Sequence, residues 1–303
     1  REIPVPAEMN AAIKSAMEEI TEASAGAVDE LMMKYLDGEE LTHEEIIEGF
    51  RAGMKDGSIV PVVPCSAVTG VGVARLLDTI ANYMHSPRHV KFTGVNPKTG
   101  ETVERPCSSD QPFSAFVFKT IADPFVGKLS LVRVFSGQLT SATPLYNPCS
   151  EKTEKAGGLF FMRGKKQQNA STIYAGDIGA LSKLQYTASG DTLCDQANPI
   201  KYETIAYPQP CLSKAIYAAK QGEEDKIFSG LSRLMEEDPS IKVEKSAETT
   251  ETLLSGQGEL HLDVIRNKLA TKFSANATLC DPRIPYRETI RKTVSCEGRH
   301  KKQ

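Results

Sequence analysis

Between Phe113 and Asn198 the apolar residues fall in six short runs, 114–121, 129–135, 144–147, 158–162, 178–184 and 191–194. Turn pairs punctuate them: Asp123-Pro124, Ser136-Gly137, Asn147-Pro148, Arg163-Gly164, Gly176-Asp177 and Ser189-Gly190. Short apolar runs separated by glycine, proline and asparagine signal strands rather than helices. A stack of such strands leaves sticky edges unless it closes on itself. The pattern therefore predicts a closed antiparallel β-barrel of six strands over residues 112–200. Its loop Arg163-Gly164-Lys165-Lys166 gathers three positive charges, which suits a phosphate contact and equally a solubilising loop.

Residues 205–283 carry a different rhythm, opening after Tyr207-Pro208-Gln209-Pro210. A strand is predicted at 212–218, a helix at 223–237 with Ile227, Phe228, Leu231 and Leu234 facing inward, and strands at 241–244 and 250–254. A helix at 258–270 and a strand at 272–279 follow. The order is βαββαβ, the split, ferredoxin-like unit. An RNA-recognition module shares this order but stacks bases on aromatics of its central strands, and here strands 212–218 and 250–255 supply Tyr217 alone. Base readout is thus not expected. Within the unit, Ser255-Gly256-Gln257-Gly258-Glu259-Leu260-His261 joins strand to helix, with apolar residues at 260, 264, 265 and 269 along one helical face. Two glycines around one residue permit a sharp turn and a close approach of the helix N-terminus. On local grounds the stretch is a tight strand-to-helix connection.

Residues 1–90 read as α/β. Met9, Ile13, Met17 and Ile20 recur at helical spacing, with methionines as core fillers. A second helix follows Asp29, and a third starts at Thr42, with Glu45 placed for a capping box. Ile59 to Pro64 is predicted to be a buried strand, the kind covered on both faces in a parallel sheet. The turn Ser66-Ala67-Val68 and an amphipathic helix to Met84 come next. Proline and glycine crowd residues 85–111, which read as a linker at 91–111 between domains. At the other end, 284–303 holds one strand with no partner in the chain, expected to fray.

The charge is lopsided. Residues 1–60 hold 5 Lys/Arg against 14 Asp/Glu, a net of −9, and the overall −3 leaves +6 for residues 61–303. The basic part suits phosphates. The seven cysteines are widely spaced without a Cys-x-x-Cys pair, which opposes both a disulfide framework and a zinc site and reads as reduced thiols. Pro87 stands between His85 and His89 and opposes the helix that would present them to a metal. No apolar run approaches 18 residues, so neither membrane nor export is indicated. The first residue is Arg1 rather than methionine, as expected of a piece of a longer protein.

Several of these stretches resemble one family. Ser255-Gly256-Gln257-Gly258-Glu259-Leu260-His261-Leu262 is similar to the third-domain signature of translation elongation factor G, with Gln257 in place of the usual methionine. Asp123-Pro124-Phe125-Val126-Gly127-Lys128, Arg133-Val134-Phe135-Ser136-Gly137 and Tyr174-Ala175-Gly176-Asp177-Ile178 resemble its second domain, with Phe135 for the commoner tyrosine. Ile284 to Ile290 resembles the first strand of its fourth domain, and Cys65-Ser66-Ala67-Val68 resembles the guanine loop of GTPases. The resemblance implies a partial P-loop GTPase G domain with a helical insert over 1–90, then the β-barrel and the ferredoxin-like domain. It makes Ser66, Ala67 and Val68 nucleotide contacts, and Ser255, Gly256, Gln257, Gly258, Glu259 and His261 an interdomain signature. Arg163, Lys165 and Lys166 become candidates for ribosomal RNA.

The implied cofactor of a full-length parent is GTP with magnesium, and the implied partners are small-subunit rRNA, its proteins and the stalk region. A cytoplasmic location is expected, with no membrane or DNA partner. The 303 residues contain neither Gly-x4-Gly-Lys-Ser/Thr nor Asn-Lys-x-Asp, so this chain alone is expected neither to hold the triphosphate nor to hydrolyse it. Two other readings share these domains: a ribosome-protection or peptide-release relative, and a ribosome-binding module that works without nucleotide.

Overall fold

The computed structural model describes residues 5–123, 127–164, 166–220 and 222–302 and separates into two compact units, 1–90 and 91–303. The first unit is helical: α1 (Asn10–Ala25), α2 (Asp29–Leu36), α3 (His43–Asp56) and α4 (Val73–Tyr83). Thr42 caps α3, its hydroxyl accepting from the Glu45 amide at 3.3 Å while the Glu45 carboxylate accepts from the Thr42 amide at 2.7 Å. Helices α1 and α3 meet at Gly49, where a Cβ would come 2.2 Å from the Ser24 carbonyl oxygen. Arg51 reaches α4 by donating twice to the Asn82 carbonyl, at 2.9 and 2.7 Å, and Phe50 meets Tyr83 edge-on at 5.3 Å.

This unit departs from expectation in two ways. Met9, Ile13, Met17 and Ile20 are exposed rather than packed as core fillers. Residues 59–64 form no strand, and Val62 is 89% exposed. An apolar strand is stable only when neighbours accept its backbone hydrogen bonds, and none of the described residues lies beside it as a strand.

The second unit opens on what reads in sequence as a linker. Instead, β1 (Lys91–Val95) and β2 (Thr102–Pro106) form a hairpin. Phe92 stacks on Phe135 at 3.8 Å, Val95 exchanges two 2.8 Å backbone bonds with Lys201, and the buried Arg105 donates to the carbonyls of Pro112 and Asn198. Short polar strands hide in composition, but their packing is that of an ordered element.

The barrel region contains β3 (Ser114–Asp123), β4 (Gly127–Ser136), β5 (Gln138–Thr140), β6 (Leu145–Asn147), β7 (Lys152–Glu154), β8 (Gly158–Arg163), β9 (Lys166–Asn169), β10 (Thr172–Tyr174), β11 (Ile178–Ser182) and β12 (Thr192–Cys194). All six expected strands occur, joined by four short polar ones. They pair antiparallel in the order β7-β6-β12-β3-β4-β11-β8-β9, while β5 and β10 make a separate ladder. Val117, Val132, Leu139, Leu159, Ile173 and Leu193 from both sheets share one core. Among the described residues no ladder joins β7 to β9, so hydrogen bonds do not close the eight-stranded sheet into the barrel expected from the sequence.

Last come β13 (Leu212–Ala218), α5 (Glu224–Glu237), β14 (Lys242–Lys245), β15 (Thr252–Gly256), α6 (Glu259–Phe273) and β16 (Ala277–Cys280). The sheet is antiparallel in the order β14-β15-β13-β16, so the two strands that precede the helices are central. Both helices pack on one face through Ile227, Leu231, Leu234, Leu262, Ile265 and Leu269. Each such residue, fully buried, stabilises by about 1.5–3 kcal/mol. Three details differ from the sequence reading. Phe228 is exposed, α6 buries 262, 265 and 269 rather than 260 and 264, and residues 272 and 273 extend α6 instead of starting a strand. Residues 284–290 form no strand.

Candidate functional site

The strand–turn–helix of β15 and α6 is built by two glycines with different duties. A Cβ on Gly256 would lie 2.9 Å from Leu262 Cδ2 and 3.1 Å from His261 Nδ1, so only glycine lets α6 come this near the end of β15. Gly258 is extended, and a Cβ there would meet nothing.

Between them the Gln257 amide donates to His261 Nδ1 at 3.1 Å, which makes Nε2 the protonated nitrogen of a neutral ring, and Nε2 lies 3.0 Å from Asp238 Oδ2. The Gln257 side chain donates to the Pro208 carbonyl at 3.1 Å, a bond the usual methionine could not make. Ser255 and Ser213 share a 2.7 Å hydroxyl contact across β15 and β13. Glu259 is exposed and 3.8 Å from Lys214, whose shorter partner is Asp281 at 2.6 Å. Ser255, Gly256, Gln257, Gly258 and His261 thus converge on one turn, with Glu259 at its rim.

Asp238 sits below the ordinary carboxylate range. Burial pushes it up, but hydrogen bonds from Ser240 and His261 outweigh that. Glu237 behaves likewise: burial raises it, and the ammonium groups of Lys272 and Lys268 bring it below its usual value. Neither Asp238 nor Glu237 stood out in sequence, where acids at the end of a helix look like ordinary surface charge.

On the barrel, Arg163 ends β8 and pairs in register with Lys166, which begins β9. Both are exposed and neither joins an ion pair among the described residues; Lys165 lies outside those residues. So do Pro124, Phe125 and Val126. An open groove of about 500 Å³ adjoins this hairpin, floored by Leu131, Phe161 and Ile178 and edged by Arg163, Gln168 and Asp177.

In the first unit, Ser66, Ala67 and Val68 lie in a tight turn, closed by the Ser66 amide on the Val71 carbonyl at 2.8 Å and the Gly70 amide on the Ser66 carbonyl at 2.9 Å. Ala67 and Val68 are exposed. Such a turn can offer amides to a base edge. GTP with magnesium also needs a phosphate cradle with a lysine, and the sequence has no such loop. The residues present do not fit the whole cofactor. Among the described residues no group of three His, Cys, Asp or Glu could hold a metal, and no helix is long and apolar enough to cross a membrane. Among the described residues no disulfide joins any of the cysteines, and burial pushes the Cys149 and Cys194 thiols up.

The elongation factor G domain 2 family matches residues 112–196, and the elongation factor G domain III family matches residues 207–281. Over these two domains the chain is elongation factor G-like. A crystal structure of a protein from Thermus thermophilus is similar over 96% of the chain, with a TM-score of 0.79 and 29% identity. The factor G-like chain spans 42% of that protein's length. In factor G terms the wrapped sheet is domain 2 and the βαββαβ unit is domain III, which makes the chain translation factor-like.

Proposed function

We propose that this chain is the ribosome-contacting part of a factor G-like translational GTPase, cytoplasmic, whose G domain uses GTP with magnesium to drive movement of tRNA and mRNA. The observation that carries the reading is the pair of domain matches, domain 2 followed directly by domain III. Ser66, Ala67 and Val68 supply at most the guanine side of a nucleotide site, since the triphosphate needs residues this sequence lacks. No catalytic step belongs to residues of this chain.

Domains 2 and III contribute binding and orientation. The Arg163 and Lys166 hairpin presents cations to small-subunit rRNA, in keeping with the net +6 of residues 61–303. With Lys165 included, three phosphate contacts give a log-log salt slope of about −2 to −3, at about 0.7–0.9 per phosphate.

The test is binding to purified small ribosomal subunits at several salt concentrations, with the parent and with Arg163, Lys165 and Lys166 all changed to alanine. The expected outcome is weaker binding with a flatter slope in the variant. Unchanged affinity and slope would remove the hairpin from the interface, and no binding by the parent would remove the ribosome from the proposal.

A further inference from the structure

Helix α5 ends in three consecutive acids, Glu236, Glu237 and Asp238. Acids are disfavoured at a helix C-terminus, where the last carbonyls already carry partial negative charge. Each of the three is nevertheless engaged by a neighbouring element, Glu236 by the barrel, Glu237 by the barrel and α6, and Asp238 by α6. Glu236 lies 3.3 Å from Lys128 Nζ at the start of β4, in the barrel. The nearly buried Glu237 accepts from Lys268 at 2.9 Å and Lys272 at 2.7 Å on α6, and from the Ala122 amide at 3.3 Å on β3. Asp238 holds His261, which receives the Gln257 amide. Nearby in the barrel, the Ser189 hydroxyl donates to Thr120 on β3 at 3.0 Å. Contacts from the barrel and contacts to the glycine turn thus meet within three residues of one helix end.

We propose that this carboxyl end of α5 is a joint. It fixes the barrel to the βαββαβ domain and, through His261, sets the position of the Gly256-Gln257-Gly258 turn, so that a change at the barrel contact is felt at the turn. Coupling of this kind is reciprocal, and a partner gripping the turn would shift the barrel contact by the same free energy. The inference is independent of what the chain binds.

Amide exchange across the full chain tests it, in Lys128→Ala, Glu237→Gln and the double variant. Lys128 touches neither the turn nor His261, so its effect there can only be transmitted. The expected result is exchange at 252–258 faster by about twofold to fivefold in Lys128→Ala, the range a partly exposed ion pair can supply, and faster also in Glu237→Gln, with the double variant less than additive, while β4 around Val132 and β13 around Ile216 keep the parent's rates. Unchanged exchange at the turn in Lys128→Ala overturns the proposal. So does a uniform acceleration throughout 212–280, which would make Glu237 an ordinary stabilising ion pair. Should Glu237→Gln fail to fold, Lys128→Ala decides alone, since it removes one partly exposed barrel contact.

Discussion

Gly256 and Gly258 flank the same residue, yet a methyl group on the first strikes Leu262 and His261 and a methyl group on the second enters open space. Overpacking of a closed contact costs about 1–3 kcal/mol, so Gly256→Ala should lose about that much in urea unfolding. Gly258→Ala should stay within about 0.5 kcal/mol of the parent. Equal losses would mean that the turn's backbone, not the approach of α6, demands glycine. The Gly-Gln-Gly spelling was visible in the sequence, but not this division of labour, because closeness depends on where Leu262 points. The joint partners of His261 were invisible for the same reason: Asp238 is 23 residues away in the chain.

At the scale of elements, legibility followed periodicity. The strands β3, β4 and β8 and the helices α5 and α6 announce themselves by apolar spacing, whereas β5, β7, β9 and β10 are three or four mostly polar residues long and carry no alternation to read. In α6 two apolar faces compete, 260/264 against 262/265/269, and only the sheet beneath decides which is buried. Helix α3 shows an element whose terminus was legible, since Thr42 and Glu45 form the predicted box.

That box also sets a pH dependence. Lys34's hydrogen bond, then those of Thr42, hold the Glu45 carboxyl at about 2 against an ordinary 4.5. A depressed folded value means the contribution is complete above pH 4.5 and disappears as pH falls towards about 2. Helix content followed by circular dichroism should therefore decline in the parent across that interval, and the decline should be smaller in Glu45→Gln. Parallel acid titrations of parent and variant would remove Glu45 from the account.

Across the whole chain, burial is unevenly spread. In 5–90 the buried apolar side chains are Ala25 and Leu31, whereas residues 91–280 contain three apolar clusters. Regions with little buried apolar contact open first, so limited proteolysis should cut within 1–90 or 283–303 before it touches the barrel. A first cut inside 112–198 would contradict the assignment of the barrel as the stable part. The hairpin of β1 and β2 has a further consequence for anyone moving this part between proteins. Phe92 lies flat on Phe135, which in turn meets Phe116 and the edge of Tyr202. A gene fragment begun at Pro112 would strip that lid and leave a ring stack facing water, an invitation to aggregate. The transplantable cassette starts at Lys91.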